Sequence, residues 1–501
     1  MARDHLLVID QGTTSTRAVV YDRRLQPRGQ SQVEVAPTYP RSGWVEHDPA
    51  AIVASVGPMV AGALREAGVD GSRIAGIGLT NQRETTIVWD RETGEAIGPA
   101  LVWQDRRTAE FCERNRGRRE WIAAKTGLVL DPYFSATKIA WLLDHIPDAR
   151  RRAEANELLA GTVDTWLIRH LTGGTEHVTD VTNASRTLLM DLESSSWDAT
   201  LCEFFDVPAG LLPRILPSAG SFGKTRGLDY LPDGLPISGV AGDQQASLVG
   251  QGCLTAGQAK CTYGTGAFLL AHTGSKPVRS SRGLLTTPAA VLGDGPPQYA
   301  IEGSVFIAGA AVQWFRDGLE AIGAAPEIDR LAEAGGEQSG VLFVPALTGL
   351  GSPHWEPDAR GTIFGITRAT SVADLARATL EGVAFQVADL IDGINADLAA
   401  PLTDLRIDGG MGRSDPFLQF QADLLGVALR RSPQTESTAL GAGLLAGVGV
   451  GLWGSLDEAV ELLAAGSRVV EPIRDAAWRG SKLAAWRHAV ETVKRHYRTL
   501  P

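Results

Sequence analysis

The chain has 501 residues, of which 44% are hydrophobic and 21% charged, which is ordinary for a soluble globular protein. At about 150 residues per domain, this length predicts two to four domains. The formal net charge of −11 argues against nucleic acid as the main partner, because phosphate binding requires clustered Lys and Arg. An acidic chain can still bind a small phosphate ligand locally, through backbone N–H groups and Mg²⁺.

The cysteines and the apolar segments argue against several other classes. The four cysteines show no CxxC spacing, so neither a disulfide framework nor a zinc site is expected. The N-terminal segment MARDHLLVIDQG has only four apolar residues in a row, too few for a signal peptide. The longest apolar run, residues 440–453, is below membrane-spanning length and rich in Gly and Ala, which predicts a closely packed core helix. A cytoplasmic location without membrane insertion follows as an expectation.

The first predicted strands flank a loop rich in hydroxyl groups. Residues 6–9 (LLVI) and 18–21 (AVVY) are apolar runs separated by a Gly/Thr/Ser loop, a pattern that predicts a β-hairpin. Successive N–H groups in such a turn can form an anion-binding concavity, and Asp10 at the strand end could hold Mg²⁺. Taken alone, the segment is better explained as an ordinary polar hairpin, because it is not a Walker A motif.

A second polar group follows the next predicted strand, residues 74–79, and precedes another at 87–89. Arg83 and Glu84 are either a solvated ion pair of little energetic value or polar groups that hold a hydroxylated ligand. Trp103 is either a core residue or a wall for an aliphatic ligand.

Residues 240–247 (VAGDQQAS), near the middle of the chain, predict a strand that turns directly into a helix. Gly242 is expected to permit the sharp change of direction. Asp243 then lies on a rigid support and is the candidate catalytic group, although its position is also compatible with helix capping.

The second half repeats this arrangement. Residues 260–263 and 267–271 predict two strands around a Gly-Thr-Gly turn, a weak echo of the first loop. The repeat suggests two domains of one fold that face each other across a cleft. A helix is predicted over residues 308–315.

Three further segments complete the prediction for the second half. Residues 370–394 show helical periodicity and begin with a capping box. Ser414 is expected to cap a helix that follows a glycine-rich turn. Residues 453–501 are expected to be mostly amphipathic helix.

Together these motifs closely resemble the FGGY family of carbohydrate kinases. The resemblance runs from residue 5 to residue 450 and is carried by IDQGTTSTRAVVYD, TNQRETTIVWD, WQDRRT, GVAGDQQAS, TYGTGAF and RIDGG. DQGTT and GDQQ are typical of the family, whereas NQRETT and the aromatic spacing are typical of its glycerol-phosphorylating members. The resemblance implies an α/β fold of two ribonuclease-H-like (actin-like ATPase) domains, predicted at residues 1–248 and 249–501. It also implies transfer of a phosphoryl group from Mg-ATP to glycerol, Mg²⁺ as cofactor, and a homo-oligomer, either a dimer or a tetramer.

The resemblance implies roles for individual residues. Asp243 would be the catalytic base that takes the proton from the attacking hydroxyl group, and Asp10 would lie near Mg²⁺. The residues implied in glycerol binding are Arg83, Glu84, Trp103, Tyr133, Asp243, Gln244 and Phe268, with Trp103 and Phe268 as the apolar wall. The residues implied in nucleotide binding are Thr13, Thr14, Ser15, Arg17, Thr265, Gly309, Gln313, Gly410 and Ser414.

The chain departs from the family pattern at two places. Ser414 stands where many glycerol-phosphorylating members have an Asn near the adenine. The loop at residues 228–236 lacks the Arg that resembles the fructose-1,6-bisphosphate site of some enteric homologues. The His phosphorylated in some Gram-positive homologues is also missing, so neither control is expected here.

Two alternatives remain open at this point. Another member of the same family would act on a pentulose or on gluconate, although Arg83 and Glu84 with Trp103 favour glycerol. A non-catalytic nucleotide-binding or chaperone-like protein on the actin-type fold would share the glycine-rich hairpins but lack a polyol pocket. Its ATP turnover would not depend on an added polyol.

Overall fold

The computed structural model describes residues 3–293, 295–432, 436–463 and 467–498. The chain forms two halves, each built around a mixed sheet. The strands of the first half are β1 His5–Gln11, β2 Ser15–Asp22, β3 Pro27–Glu34, β4 Glu46–His47, β5 Ile74–Asn81, β6 Thr86–Asp90, β7 Ala100–Leu101, β8 Leu158–Thr162, β9 Val178–Asp180, β10 Met190–Asp191, β11 Ser196–Trp197, β12 Arg214–Leu216 and β13 Ile237–Gly242. Its helices are α1 Pro49–Ala67, α2 Ala109–Arg114, α3 Arg119–Thr126, α4 Ser135–His145, α5 Ala149–Glu154, α6 Val163–Leu171, α7 Val181–Ala184, α8 Ala199–Phe205 and α9 Asp243–Gly250.

The second half continues the same alternation. Its strands are β14 Gln258–Tyr263, β15 Ala267–Gly274, β16 Leu285–Pro288, β17 Tyr299–Val305, β18 Leu342–Val344, β19 Thr362–Phe364, β20 Asp404–Gly409, β21 Leu429–Arg431 and β22 Arg468–Val470. Its helices are α10 Gly309–Gln313, α11 Glu327–Ala334, α12 Val372–Asp397, α13 Asp415–Leu425, α14 Ser437–Gly449, α15 Leu456–Glu461 and α16 Ala476–Arg498.

The two central sheets share one arrangement. The first has five strands in the order β13-β5-β1-β2-β3, with β1 and β2 as an antiparallel hairpin and β5 and β13 parallel to β1. The second has seven strands in the order β16-β17-β15-β14-β20-β21-β22, with β14 and β15 as the hairpin and β20 and β21 parallel to β14. Both predicted hairpins and the predicted repeat of one fold are therefore confirmed.

Local sequence signals explain the long helix α12. It begins after Ser371, whose hydroxyl accepts a hydrogen bond from the Asp374 N–H, while the Asp374 carboxylate accepts one from the Ser371 N–H. This is the predicted capping box, which satisfies two N–H groups that a helix start otherwise leaves unpaired.

Helix α14 is the core helix that the apolar run predicts, and it lies against the first half. A Cβ atom at Gly78 of β5 would approach the Ala442 carbonyl oxygen to 2.5 Å, and one at Gly441 would approach that of Ala246 in α9 to 1.8 Å. Glycines therefore let the backbones of α9, α14 and β5 approach closely. A helix from the second half thus completes the core of the first, and the division at residue 248 stays a prediction.

Helix α1 is long and apolar enough to cross a membrane by length and composition, with a mean hydropathy of 1.2. It packs on the first sheet, burying Ile52, Val56 and Val60 on one face. A Cβ atom at Gly29 of β3 would lie 2.3 Å from the Ala63 carbonyl oxygen, so helix and sheet are in close contact. This packing accounts for its apolar residues.

The C-terminal segment is mostly helix, as predicted, in α15 and α16. The prediction does not include β22, which lies between these helices and pairs antiparallel with β21. A three-residue edge strand with two exposed side chains has no pattern that distinguishes it from a helix surface.

Candidate active site

Asp243 is the first residue of α9 and follows β13 directly, so the predicted strand-to-helix turn is confirmed. Its side chain is 35% exposed and can therefore meet a ligand. The expected role of Gly242 is wrong, because its φ of −59° is open to any residue. A Cβ atom there would lie 2.7 Å from Cγ and Cδ of Arg83, so the glycine makes room for that side chain.

Arg83 connects Asp243 to the second half. Its Nε lies 3.2 Å from Asp243 Oδ1. Its terminal nitrogens donate to the two carboxylate oxygens of Glu302 on β17, at 2.8 and 2.7 Å. Arg83 is 3% exposed and Glu84 1%, so a solvated ion pair is excluded.

Glu84 is held by an arginine that the sequence did not single out. Its Oε1 accepts a hydrogen bond from Arg186 Nε at 2.6 Å, and the terminal nitrogens of Arg186 lie 3.3 Å from the oxygens of Glu302. Glu84 has a φ of +60°, a conformation that costs a non-glycine residue about 1–3 kcal/mol and is concentrated at functional sites. Ser135 stabilises this turn by donating its hydroxyl to the Glu84 carbonyl at 3.1 Å.

The two arginines and two glutamates form a neutral, fully buried charge cluster, defined as Arg83, Glu84, Arg186 and Glu302. Burial would raise the pKa of Glu302, but the guanidinium groups of Arg186 and Arg83 lower that pKa to about 2. Burial also raises the pKa of Glu84, against the opposing charges of Arg186 and Arg83. The only sequence signal for Glu302 is a lone acid inside the apolar strand YAIEGSV.

Gln244 holds the other side of Asp243. Its N–H donates to Asp243 Oδ1 at 2.8 Å, and its Nε2 donates to Asp243 Oδ2 at 3.3 Å. Its Oε1 accepts from the ammonium group of Lys260 at 2.5 Å. Lys260 lies on β14, is fully buried and also donates to Thr262 Oγ1 at 3.0 Å. Burial lowers the pKa of Lys260, and the charge of Asp408 opposes that effect.

The aromatic residues lie beside this array. Trp103 Nε1 donates to Thr13 Oγ1 at 2.9 Å, which joins the first hairpin to the predicted glycerol residues. The Trp103 and Tyr133 rings meet edge to face with centroids 5.6 Å apart. Lys138 fixes Tyr133 by donating to its carbonyl at 2.7 Å. Phe268 is half-buried on β15, in the sheet that carries Lys260 and Glu302.

The first hairpin presents the turn that the sequence predicts. The Gly12 N–H donates to the Ser15 carbonyl at 2.9 Å, and Thr14 is exposed at the tip. Arg17 donates to Gln32 Oε1 at 2.8 Å and forms an ion pair with Glu436, so it links the hairpin to the start of α14.

Asp10, the residue predicted to lie near Mg²⁺, is at the end of β1 and has a perturbed pKa. Burial raises its pKa to about 7; Arg17 opposes the shift and the charge of Asp243 adds to it. Among the described residues, no group of three or more His, Cys, Asp or Glu is placed to hold a metal ion. A Mg²⁺ ion at Asp10 would therefore need water and nucleotide oxygens as its other ligands, which is its usual preference.

Two of the predicted nucleotide residues of the second half, Thr265 and Gly309, meet at the hairpin β14–β15. The Thr265 carbonyl accepts from the Ala310 N–H at 3.0 Å, and the Gly309 N–H donates to the Gly264 carbonyl at 2.9 Å. A Cβ atom at Gly309 would lie 2.6 Å from that carbonyl oxygen, so glycine is required there. Gln313 is exposed at the end of α10.

The glycine-rich turn after β20 lies next to the same hairpin. Gly409 has a φ of +86°, and a Cβ atom there would lie 2.3 Å from the Tyr263 carbonyl oxygen, whereas Gly410 faces open space. Ser414 caps α13, as predicted, by accepting from the Phe417 N–H at 3.2 Å. Its hydroxyl also donates to Asp329 Oδ1 at 2.6 Å, so both of its functions are engaged within the protein.

The chain matches known proteins over nearly its whole length. The model of the FGGY family of carbohydrate kinases, N-terminal domain, matches residues 5–250, and that of the C-terminal domain matches residues 259–450. The chain is 51% identical over 492 residues to a glycerol kinase of Aromatoleum aromaticum, covering 98% of this chain and 99% of that protein. It is 52% identical over 487 residues to a glycerol kinase of Alkalilimnicola ehrlichii, covering 97% of each.

Solved structures give the same result. The crystal structure of Plasmodium falciparum glycerol kinase with ADP matches with a TM-score of 0.93 at 38% identity, covering 98% of each chain. A gluconate kinase from Lactobacillus acidophilus matches with a TM-score of 0.89 at 23% identity, covering 98% of this chain and 99% of that one, which shows a common fold alone. Because the two domain models together match most of its length, the chain belongs to the FGGY family of carbohydrate kinases.

Proposed function

We propose that the chain phosphorylates glycerol to sn-glycerol 3-phosphate with Mg-ATP as donor, in glycerol catabolism. The observation that carries this proposal is the partly exposed Asp243 carboxylate, oriented by Arg83 and Gln244 next to the buried charge cluster. The relatives named glycerol kinase, at about half identity over nearly the full length, support the choice of acceptor.

Asp243 acts as the base. The attacking hydroxyl oxygen forms a bond to the γ-phosphorus, the bond from that phosphorus to the bridging oxygen breaks, and ADP leaves. The hydroxyl proton passes to the Asp243 carboxylate. Little covalent chemistry is asked of the protein in such a transfer, so positioning and charge neutralisation dominate the rate.

The buried polar residues fit a polyol with three hydroxyl groups. Arg83, Glu84, Tyr133 and Gln244 supply donors and acceptors, and each is fixed by a second protein group. Trp103 and Phe268 form the apolar wall. A site built to bond hydroxyl groups rejects analogues that lack them, because its buried polar groups would be left unpaired.

The nucleotide is bound by the two hairpins and the glycine-rich turn. Thr13, Thr14, Ser15 and Arg17 contact its phosphates, and Thr265, Gly309, Gln313 and Gly410 line the rest of its site. Ser414 contributes through helix capping. Asp10 would hold Mg²⁺, which when bound would supply charge neutralisation for the transferred phosphoryl group.

Three further parts of the proposal rest on the family resemblance. The protein is cytoplasmic, it forms a homo-oligomer, and its domains divide at residue 248. Light scattering on the purified protein measures the oligomeric state directly.

The test is the variant Asp243→Asn in a coupled assay of ADP release. We expect it to fold and to bind nucleotide while losing most glycerol-dependent turnover. The matched control is Asp392→Asn, which alters an exposed carboxylate of α12 paired with Arg487. A near-normal kcat for Asp243→Asn would refute its role as the base.

Acceptor specificity needs a separate measurement, since sugar kinases share the fold. Wild-type turnover is compared with glycerol, dihydroxyacetone, xylulose and gluconate. Glycerol is expected to give the highest kcat/KM. ATP turnover without any polyol would instead favour a nucleotide-binding protein without a kinase activity.

A further inference from the structure

Glu302 is a charged residue at a completely buried position, where a charge is costly. It is fully buried on β17 of the second half, yet it binds Arg83 of the first half through both carboxylate oxygens. A two-point contact of this kind fixes the plane of a guanidinium group. With both terminal nitrogens held, Arg83 Nε is left to face Asp243 Oδ1 at 3.2 Å.

Lys260 makes the corresponding contact on the other side. It is fully buried on β14, also in the second half, and donates to Gln244 Oε1 at 2.5 Å. This contact fixes which end of the Gln244 amide is oxygen, so its Nε2 is the end that faces Asp243 Oδ2 at 3.3 Å.

A stable core could be built at these two positions without charges. A buried ion pair is often no more stabilising than well-packed apolar residues of similar volume, because removing charges from water is costly. The two charges instead fix geometry. One oxygen of Asp243 faces Arg83, which Glu302 holds, and the other faces Gln244, which Lys260 holds.

We propose that Glu302 and Lys260 are positioning residues that orient the Asp243 carboxylate through Arg83 and Gln244. This inference rests on the proposed function of Asp243 as the base. It follows that the catalytic carboxylate is correctly placed only when the two halves are docked. Neither residue touches the reacting atoms; each acts through its first-half partner.

Glu302→Gln and Lys260→Met in the full-length chain test the inference. Each is expected to lower kcat about ten- to hundredfold, since a small misplacement of a catalytic group has effects of this size. Each is also expected to raise the KM for glycerol and to leave the KM for Mg-ATP within about twofold. Lys260→Arg, which keeps a cationic donor, is expected to recover part of the lost kcat.

A double-mutant cycle that combines each variant with Asp243→Asn distinguishes positioning of Asp243 from a general structural role. If both residues act through Asp243, adding Glu302→Gln or Lys260→Met to Asp243→Asn lowers the residual turnover little further, because groups that act as a unit are non-additive. Losses that multiply would overturn the proposal. So would single variants with wild-type kcat.

The control variant is Asp389→Asn. Asp389 is another buried carboxylate of the second half, bound by His354 at 2.8 Å and Trp486 at 2.7 Å. The Asp389→Asn variant is expected to lower the thermal midpoint without changing kcat or the KM for glycerol.

If one of the two test variants does not fold, the other still tests the proposal, since each acts on a different oxygen of Asp243. Absence of glycerol turnover in the wild type would reject the proposed function itself, whereas wild-type activity that is insensitive to both variants rejects only the positioning.

Discussion

Gly242 shows how a single small residue can control a catalytic side chain without touching a substrate. The space that a methyl group would fill is occupied by Cγ and Cδ of Arg83, 2.7 Å from the ideal Cβ position. These are mid-chain atoms of a side chain fixed at both ends, by Glu302 and by the backbone. Arg83 therefore cannot move aside without losing a contact at its guanidinium group.

Gly242→Ala is expected to lower kcat/KM for glycerol about ten- to hundredfold by displacing Arg83. Steady-state kinetics with glycerol as the varied substrate measure the effect. The matched control is Gly480→Ala in α16, where a Cβ atom meets nothing within 4 Å. That control should keep full activity and gain about 0.5–1 kcal/mol from helix propensity. Equal activity in the two variants would contradict the expected crowding.

Lys138 gives a pH dependence with an unusual sign. Burial lowers its pKa to about 7, although Glu84 and Asp105 act in the opposite direction. Its pKa in the unfolded chain is about 10.4. Between these values the unfolded chain binds the proton and the folded chain does not, so folding stability rises with pH. Most lysines that gain a partner behave in the opposite way.

The variant Lys138→Met removes this dependence. The thermal midpoint of the wild type, relative to that of the variant, is expected to rise as the pH increases from 7 to 9. Scanning calorimetry at several pH values measures the difference. A difference between the two proteins that does not change with pH would show that Lys138 stays protonated in the folded state.

At the scale of whole elements, the sequence predicts the features that depend only on neighbouring residues. The hairpins around Gly12 and Gly264 and the capping box at Ser371 each depend on residues a few positions apart. The strand-to-helix turn at Asp243 was found in the same way. The family resemblance then supplied which of these elements meet.

The partners that hold the site could not be found in this way. Arg83 and Glu302 are 219 positions apart, and the sequence around one gives no sign of the other. Glu302 and Lys260 differ from ordinary surface charges only by burial, which depends on the docked structure. The predicted role of Gly242 is wrong for a related reason. The atoms for which it makes room belong to Arg83, which is distant in the sequence.

The crossing of α9 and α14 is the element contact on which Asp243 depends. Gly441→Ala would place a Cβ atom 1.8 Å from the Ala246 carbonyl oxygen, and backbone atoms cannot turn away as a side chain can. We expect a loss of about 1–3 kcal/mol or more in stability. Because α9 begins with Asp243, turnover should fall as well. Calorimetry and the ADP-release assay test both, with Gly480→Ala as control; an unchanged thermal midpoint would contradict the prediction.

Across the whole molecule, the two halves depend on each other for their cores. Helix α14, from the second half in sequence, covers Leu6, Val8 and Ala241 of the first sheet. Glu302 supplies one of the two carboxylates that balance the charges of Arg83 and Arg186. The first half therefore lacks both a covering layer and a counter-charge when the rest of the chain is missing.

A fragment of residues 1–248 is accordingly expected not to fold alone. It would lose Glu302, the carboxylate that pairs with both Arg83 and Arg186, and removing one partner of a buried ion pair costs about 3–5 kcal/mol. It would also expose the apolar face that α14 covers. Each Å² of apolar surface left in water lowers the free energy of unfolding by about 25 cal/mol. Calorimetry of the fragment should show no cooperative transition.

Co-expression with residues 249–501 should restore both the transition and glycerol-dependent turnover, because the missing helix and carboxylate are then supplied in trans. A fragment that melts cooperatively near the temperature of the full chain would show that the first half is an independent folding unit, with the charge cluster formed only after docking.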